Sequence, residues 1–242
     1  MIRLTVWNEF RNEKILGEAR ERYPYGVHQA IIDGIAAQDM RFTLAALDDS
    51  ECGLPDALLE QTDVLIWWGH VAHEEVPDAL VRRICSRVWE GMGLVVLHSG
   101  HFSKIFQALN GTSCRLHWRE ANERERIHCV DPSHPVAQGI PESFVLDHEE
   151  TYGEPFMVAP DAHTVFQGWF RGGEVFRAGI TLQRENGRIF YFQPGHETCD
   201  SFYDSNVLRI IANAVRWCAG SVKKCYPQMH VPLALEPAIE EK

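Results

Sequence analysis

The fold is decided by the stretch Gly93-Leu94-Val95-Val96-Leu97-His98-Ser99-Gly100-His101-Phe102-Ser103-Lys104. The four consecutive apolar residues from Leu94 to Leu97 are typical of a short strand that is buried on both faces. A polar turn and then an amphipathic helical segment follow. A strand, a tight turn and a helix in this order present a side chain at the carboxyl end of a parallel sheet. Ser99 stands where such a turn presents a nucleophile, with a histidine on either side.

Upstream of this stretch, strands and helices alternate. A charged segment from Arg11 to Tyr25 shows little periodicity. We expect it to be a surface segment that lies over the end of the first strand. An alternating β-α order predicts a parallel sheet with helices on both faces. The expected strands cover Ile2–Trp7, Arg41–Leu47 and Asp63–Trp68, and the expected helices cover Val27–Gln38, Pro55–Glu60 and Pro77–Trp89.

Downstream of Asn110-Gly111 the pattern becomes rich in strands and turns, and a helix closes it. The expected strands cover Cys114–Trp118, Arg126–Val130, Ser143–Leu146, His163–Phe170, Glu174–Leu182 and Arg188–Gln193, and the helix covers Phe202–Cys218. We find no repeat and no linker. The sequence therefore predicts one α/β domain over residues 1–222, with a mostly parallel, flavodoxin-like sheet flanked by helices and a β-rich second half. Residues 223–242 are expected to form a surface tail.

Composition narrows the class of protein. The 242 residues carry a formal net charge of −11, which argues against a nucleic-acid partner. No run of about 18 apolar residues is present, so we predict neither a membrane span nor a signal peptide. The seven cysteines form no Cys-x-x-Cys pair, which indicates reduced thiols and a cytoplasmic protein.

Three histidine-bearing turns follow predicted strands of the sheet. His70 follows the third strand, His98 and His101 flank Ser99, and His196 precedes Glu197 after the last strand. Because the carboxyl ends of parallel strands lie along one edge, where ligands bind, these side chains are expected to converge. Glu149-Glu150 follows another strand and is expected to cover this edge from the side.

One chemistry that fits these residues is nucleophilic. Ser99 needs a base within hydrogen-bond reach, because a free hydroxyl is almost never ionised at neutral pH. His196 is the natural base, and Glu197 or Glu150 would orient it. Backbone N–H groups at Gly69-His70 and at Gly100 would then supply the oxyanion donors.

The other chemistry is metal-assisted. Three neutral imidazoles with an open position are the usual shell of catalytic zinc. His70, either His98 or His101, and His196 would supply them, with a glutamate as an outer partner or general base. The sequence has no glycine-rich phosphate loop of either common type, which argues against nucleotide binding. A divalent metal, zinc first, is therefore the expected cofactor.

Several short motifs together resemble the trehalose-utilisation (ThuA) family, whose fold resembles class I glutamine amidotransferases. The motifs are Gly93–His101, Leu116-His-Trp-Arg-Glu120, Asp131-Pro-Ser-His-Pro135, His148–Glu154, Gly173–Arg177 and Ile189–Glu197. Amidotransferases place a cysteine at the turn, in a Gly-x-Cys-x-Gly setting, and this chain places Ser99 there. Without the thiol, glutamine hydrolysis is not expected. Their late histidine and glutamate correspond to His196 and Glu197.

The resemblance implies a role in the use of trehalose-like disaccharides, including oxidised (keto) sugars, so a small carbohydrate is the expected ligand. Six aromatic residues suit sugar faces, although core packing is expected for most of them: Trp7, Trp67, Trp68, Trp118, Tyr152 and Trp169. Our leading hypothesis is a metal-dependent carbohydrate enzyme. The alternatives are a non-catalytic ligand-binding or scaffold subunit and a metal-free Ser-His-Glu hydrolase. We also expect a homo-oligomer.

Overall fold

A computed structural model describes residues 1–220 of the chain. The last two residues of the predicted domain, 221–222, and the predicted tail at 223–242 lie outside these residues. The parallel half of the sheet contains β1 (Ile2–Asn8), β2 (Met40–Ala46), β3 (Val64–Trp68) and β4 (Gly93–Leu97). All five residues of β3 and of β4 are buried, which confirms two-sided cover of the central strands.

The β-rich second half continues this sheet and does not form a separate layer. It contains β5 (His117–Cys129), β6 (Ser143–Gly153), β7 (His163–Phe170), β8 (Val175–Arg184) and β9 (Gly187–Phe192). The strand order is β2-β1-β3-β4-β9-β8-β7-β5-β6, and β9 pairs parallel with β4 while β5 to β9 pair antiparallel among themselves. The α/β class is confirmed, and the sheet is mixed.

Helices cover both faces of the sheet and enclose two hydrophobic clusters. In the described part of the chain they are α1 (Asn12–Ile15), α2 (Gly17–Arg22), α3 (Val27–Ile35), α4 (Asp56–Gln61), α5 (Asp78–Trp89), α6 (Lys104–Asn110) and α7 (Ser205–Ala219). Helix α7 begins where the Asp204 side chain accepts from the backbone N–H groups of Asn206 and Val207. None of these helices is long and apolar enough to cross a membrane.

Two expectations about local structure differ from what is observed. The segment from Arg11 to Tyr25 lies over the end of β1 as expected, but it folds into α1 and α2 and buries Asn12 and Glu13. The two short strands expected around 114–130 are one strand, β5, because β6 and β7 pair with it on its two sides. Cys52, Cys85, Cys114, Cys129 and Cys199 form no disulfide within residues 1–220.

The aromatic residues divide as expected between core and surface. Trp7 stacks on Trp67 with ring centroids 3.6 Å apart, and Trp68 and Tyr152 are equally buried. Trp118 and Trp169 are exposed. Most of the predicted sugar-facing aromatics therefore pack in the core, and two remain free to meet a ligand.

Candidate metal centre

The turn after β4 presents His98. His98 is the residue of this turn with a positive φ, +50°. From the sequence we expected the turn to present Ser99 instead. A positive φ in a non-glycine residue is strained and re-aims the side chain. Gly100 lets the turn pass close to β3, since a Cβ there would lie 2.8 Å from the Val96 side chain and 3.3 Å from the Trp67 carbonyl oxygen. The imidazole of His98 is fully buried at the carboxyl edge of the sheet.

Three imidazoles converge at this edge. His70 follows β3, His98 follows β4 and His196 follows β9. Their ring centroids lie 5.1 to 5.5 Å apart, and each pair of rings is close to perpendicular. Glu150 reaches the same point from β6, and one ligand atom from each of the four residues lies within 4.8 Å of the others. Two ligands of one ion with 2.1 Å bonds are at most about 4.2 Å apart, so this spacing is close to that of a metal shell.

The Nδ1 atom of each imidazole has a partner outside the cluster. His70 Nδ1 lies 2.9 Å from Glu197 Oε2, and His98 Nδ1 lies 3.0 Å from the carbonyl oxygen of Gln193. His196 Nδ1 lies 2.8 Å from the Thr198 hydroxyl and 3.3 Å from the Thr198 amide. If Nδ1 of His70 and of His98 donates to these oxygens, their Nε2 atoms keep a lone pair, which is how metal-binding histidines are oriented. His196 has the same tautomer only when its Nδ1 donates to the Thr198 hydroxyl, because an Nδ1 that accepts from the Thr198 amide leaves the proton of a neutral ring on Nε2.

The atoms that face one another inside the cluster have no hydrogen-bond partner among residues 1–220. They are the Nε2 atoms of His98 and His196 and the Oε2 atom of Glu150, and all three are buried. His98 Nε2 and Glu150 Oε2 lie 3.1 Å apart and form an ion pair when His98 is protonated, so both atoms are without a partner only when His98 is neutral. Buried polar atoms without partners are costly and need an explanation. A bound cation would satisfy all three.

The electrostatics of the cluster favour a positive charge at its centre. Burial opposes ionisation of His98, but Glu150 and then Glu149 attract the proton, so the pKa of His98 is raised. Burial and the neighbouring His98 lower the pKa of His196 to about 4, which keeps this imidazole neutral at pH 7. Burial opposes the charge on Glu197, yet its contact with His70 lowers the pKa of the carboxyl to about 2.

Two buried glutamates hold the turns on which His70 and His196 lie. The Glu9 carboxylate accepts from the backbone N–H groups of His70, Val71 and Ala72, at 2.7, 2.8 and 3.0 Å. The Glu149 carboxylate accepts from the backbone N–H of Gly195 at 3.1 Å and from the Ser201 hydroxyl. The backbone N–H of His70, which we expected to be an oxyanion donor, therefore already donates to Glu9.

The remaining predicted site residues lie around the cluster. Ser99 Oγ lies 2.8 Å from the hydroxyl of Tyr152, and its observed partner is this phenol and no histidine. His101 Nδ1 lies 2.8 Å from the carbonyl oxygen of Cys114, and burial lowers its pKa to about 3. Of the two candidates at this turn, His98 thus joins the cluster and His101 does not. Glu197 contacts His70 from outside the cluster.

Several contacts around the histidine cluster could not be predicted from the sequence. Asn12 Nδ2 donates to Glu197 Oε1, Gln193 orients His98 through its carbonyl oxygen, and Thr198 orients His196. These contacts join residues up to 185 positions apart. The role of Glu9 was easier to predict than these contacts, because a polar Asn8-Glu9 pair ends the first strand at the same edge of the sheet.

Two clefts open onto the cluster. The first has a volume of about 450 Å³, and its walls include the exposed rings of Phe102 and Trp118 with Ser99 and Tyr152 deeper inside. The second has a volume of about 440 Å³ and reaches His196 from the other side. Glu150 lines both clefts. The cluster is therefore accessible to a small molecule of the size that enzyme pockets commonly hold.

The strand order, and the likeness of the fold to a solved glutamine amidotransferase structure, place the protein in a class, the α/β proteins with the class I glutamine amidotransferase-like fold. The chain belongs to the ThuA family, because the family model described as trehalose utilisation matches residues 3–218. The family resemblance of the sequence is thereby confirmed. A comparison with curated protein sequences finds no match.

Solved structures with low sequence identity share the fold. A ThuA-like protein of Bacteroides uniformis superposes with a TM-score of 0.64 at 16% identity, covering 90% of this chain and 91% of its own. A cytoplasmic protein of Salmonella typhimurium LT2 gives 0.62 at 9% identity, covering 90% and 99%. A glutamine amidotransferase of Thermotoga maritima gives 0.54 at 11% identity, covering 91% and 99%.

Proposed function

We propose that the protein is a metal-dependent enzyme of carbohydrate utilisation, with zinc held by His70, His98, His196 and Glu150. The observation that carries this proposal is the set of three buried atoms on His98, His196 and Glu150 that have no hydrogen-bond partner and face one another together with His70. Imidazole and carboxylate donors suit zinc. When bound, such a cation polarises an oxygen atom of the substrate or activates water.

The protein's own residues would hold and orient these ligands. Glu197, the Gln193 carbonyl group and Thr198 each fix one imidazole through Nδ1, which sets the direction of Nε2. Glu149 and Glu9 fix the turns on which His196 and His70 lie. The cluster is buried, so its electrostatic interactions are stronger than they would be in water.

A sugar is the proposed substrate because of the cleft above the cluster. Trp118 is 64% exposed and Phe102 is 42% exposed, so both can stack on the apolar face of a sugar ring. The hydroxyl groups of Ser99 and Tyr152 lie deeper in the same cleft and can bond to sugar hydroxyls. The family's description as trehalose utilisation agrees with this substrate class.

Metal analysis tests the proposal directly. The full chain, purified without a histidine tag and without chelators, should carry about one zinc per chain and should gain thermal stability with added zinc. His196→Ala should lose the metal, while His128→Ala, which changes an exposed histidine of β5, should keep it. Less than about 0.2 metal per wild-type chain, with no stabilisation by zinc, would overturn the proposal.

Two other functions remain in competition. A non-catalytic subunit would bind sugar without turnover, and His196→Ala would then weaken binding only. A metal-free Ser-His-Glu hydrolase is the weakest candidate, because Ser99 pairs with Tyr152 and the His70 amide is engaged by Glu9. Ser99→Ala should cost a serine hydrolase several orders of magnitude in rate, and a metal enzyme far less.

We further propose that the protein acts in the cytoplasm and as a homo-oligomer. Five cysteines of residues 1–220, Cys52, Cys85, Cys114, Cys129 and Cys199, form no disulfide there, which supports a reducing compartment. One solved structure of the same fold is described as a cytoplasmic protein. Exposed apolar side chains in the antiparallel half, such as Trp169 and Val175, support self-association. A clean monomer in sedimentation velocity at micromolar concentration would contradict the oligomer.

A further inference from the structure

Strand β5 leaves its partner strand directly opposite Glu150. Arg119 pairs with Thr151, and the next paired position is Glu123 with Glu149. Three residues of β5, 120–122, therefore lie opposite the single residue Glu150 of β6. Asn122 has φ +49°, a left-handed conformation that asparagine tolerates well. We call residues 120–122 the arch.

The base of the arch is pinned on both sides. Arg119 and Glu123 are ion-paired to each other at 2.6 Å, and Arg119 also contacts Glu174 at 2.6 Å. The Glu123 carboxylate additionally accepts from the backbone N–H of Gly172 at 2.8 Å. Bulges of this kind commonly occur beside active sites, where they re-aim a side chain. These contacts fix the two ends of the arch in the sheet.

Glu120 is the arch residue that reaches both clefts. Only Glu120 and Glu150 line both the 450 Å³ and the 440 Å³ cleft among the described residues. Glu150 is buried in the floor beside the histidines, whereas Glu120 is exposed in the arch above. No hydrogen bond or ion pair engages the Glu120 carboxylate within residues 1–220. A molecule bound at the metal centre would thus lie between two carboxylates.

We infer that Glu120 is a substrate-contacting residue that faces the metal centre and accepts a hydrogen bond from a hydroxyl group of the bound sugar. This inference rests on the proposed function, because it requires a cation at the four ligands. In this arrangement the arch lies on the exposed side of the site, and Glu150 lies on its buried side. The ligand class that fits is a polyhydroxylated molecule, because its hydroxyl groups can donate hydrogen bonds to the Glu120 carboxylate.

Cobalt loading tests whether Glu120 faces the cation. Wild type, Glu120→Gln and the matched control Glu21→Gln, an exposed glutamate away from both clefts, are loaded with Co²⁺ and followed by visible absorption from acid to alkaline pH. For a carboxylate that lies about 8 Å from the cation, removing its negative charge should lower the pH midpoint of the spectral change by about 0.4–1.5 units. Glu21→Gln should leave the midpoint unchanged.

The outcomes separate this inference from the proposed function. If all three chains bind about one cobalt and their midpoints coincide, the Glu120 inference is wrong and the metal centre stands. If no chain binds cobalt, the metal centre itself is wrong and the inference fails with it. A midpoint shift confined to Glu120→Gln supports both. Because Glu120 is exposed, the variant is expected to fold, and circular dichroism checks this.

Discussion

Replacing Glu197 by glutamine tests the metal centre without removing any of its four ligands. Glu197 is buried and lies 2.9 Å from His70 Nδ1, and the Asn12 amide also donates to it. Glutamine keeps an acceptor oxygen at this position but removes the negative charge that makes the imidazole more basic. Loss of such an outer partner typically weakens metal affinity about 10–100-fold, or about 1.4–2.7 kcal/mol.

The assay is competition for zinc against a chromophoric chelator at pH 7.5, with the apo chain prepared by dialysis. Glu154→Gln is the matched control, because Glu154 is a partly buried carboxylate that pairs with Arg177 and with no histidine. The control should bind zinc with wild-type affinity. Equal zinc affinities for Glu197→Gln and wild type, within about threefold, would refute the role given to His70 and Glu197.

Three further results are expected. Burial lowers the pKa of His28 to about 4, below its unfolded value of 6.5, so its stabilising effect is present above pH 6.5 and is lost as pH falls towards 4. Across that window, urea unfolding should show wild type losing about 3 kcal/mol more than His28→Gln, and equal losses would contradict this. Gly100→Ala should cost about 1–3 kcal/mol by thermal unfolding, because its Cβ would meet Val96 and the backbone of β3. Trp118→Ala should weaken trehalose binding about 2–10-fold in calorimetry, whereas Trp169→Ala, an exposed tryptophan of another cleft, should not.

Local patterning made much of the fold predictable. Runs such as Leu94 to Leu97 are apolar on both faces, and only a central strand of a covered sheet buries them completely. The stripe Leu80, Val81, Ile84 and Val88 places α5 because helical periodicity is encoded within a dozen residues. The boundaries of β5 were harder to predict, because that strand is polar along much of its length and is held by β6 and β7.

The approximate location of the histidine cluster could also be predicted from the sequence. Histidines after β3, β4 and β9 had to meet, since the carboxyl ends of neighbouring parallel strands share an edge. The sequence did not decide which residue of His98-Ser99-Gly100-His101 enters the cluster. In the folded chain His98 has φ +50° and joins the cluster, while Ser99 Oγ lies 2.8 Å from the hydroxyl of Tyr152.

Tertiary structure alone decided how the ligands are oriented. The atoms that fix the imidazoles come from Glu197, Gln193 and Thr198, and His70 and Glu197 are 127 positions apart. Side-chain directions across such distances depend on packing of the whole sheet, so no local pattern carries them. The sequence by itself thus determined that histidines gather at one edge. The folded chain determined that three of them, with Glu150, each place one ligand atom near a common point, and that the Nε2 atoms of His98 and His196 have no hydrogen-bond partner there.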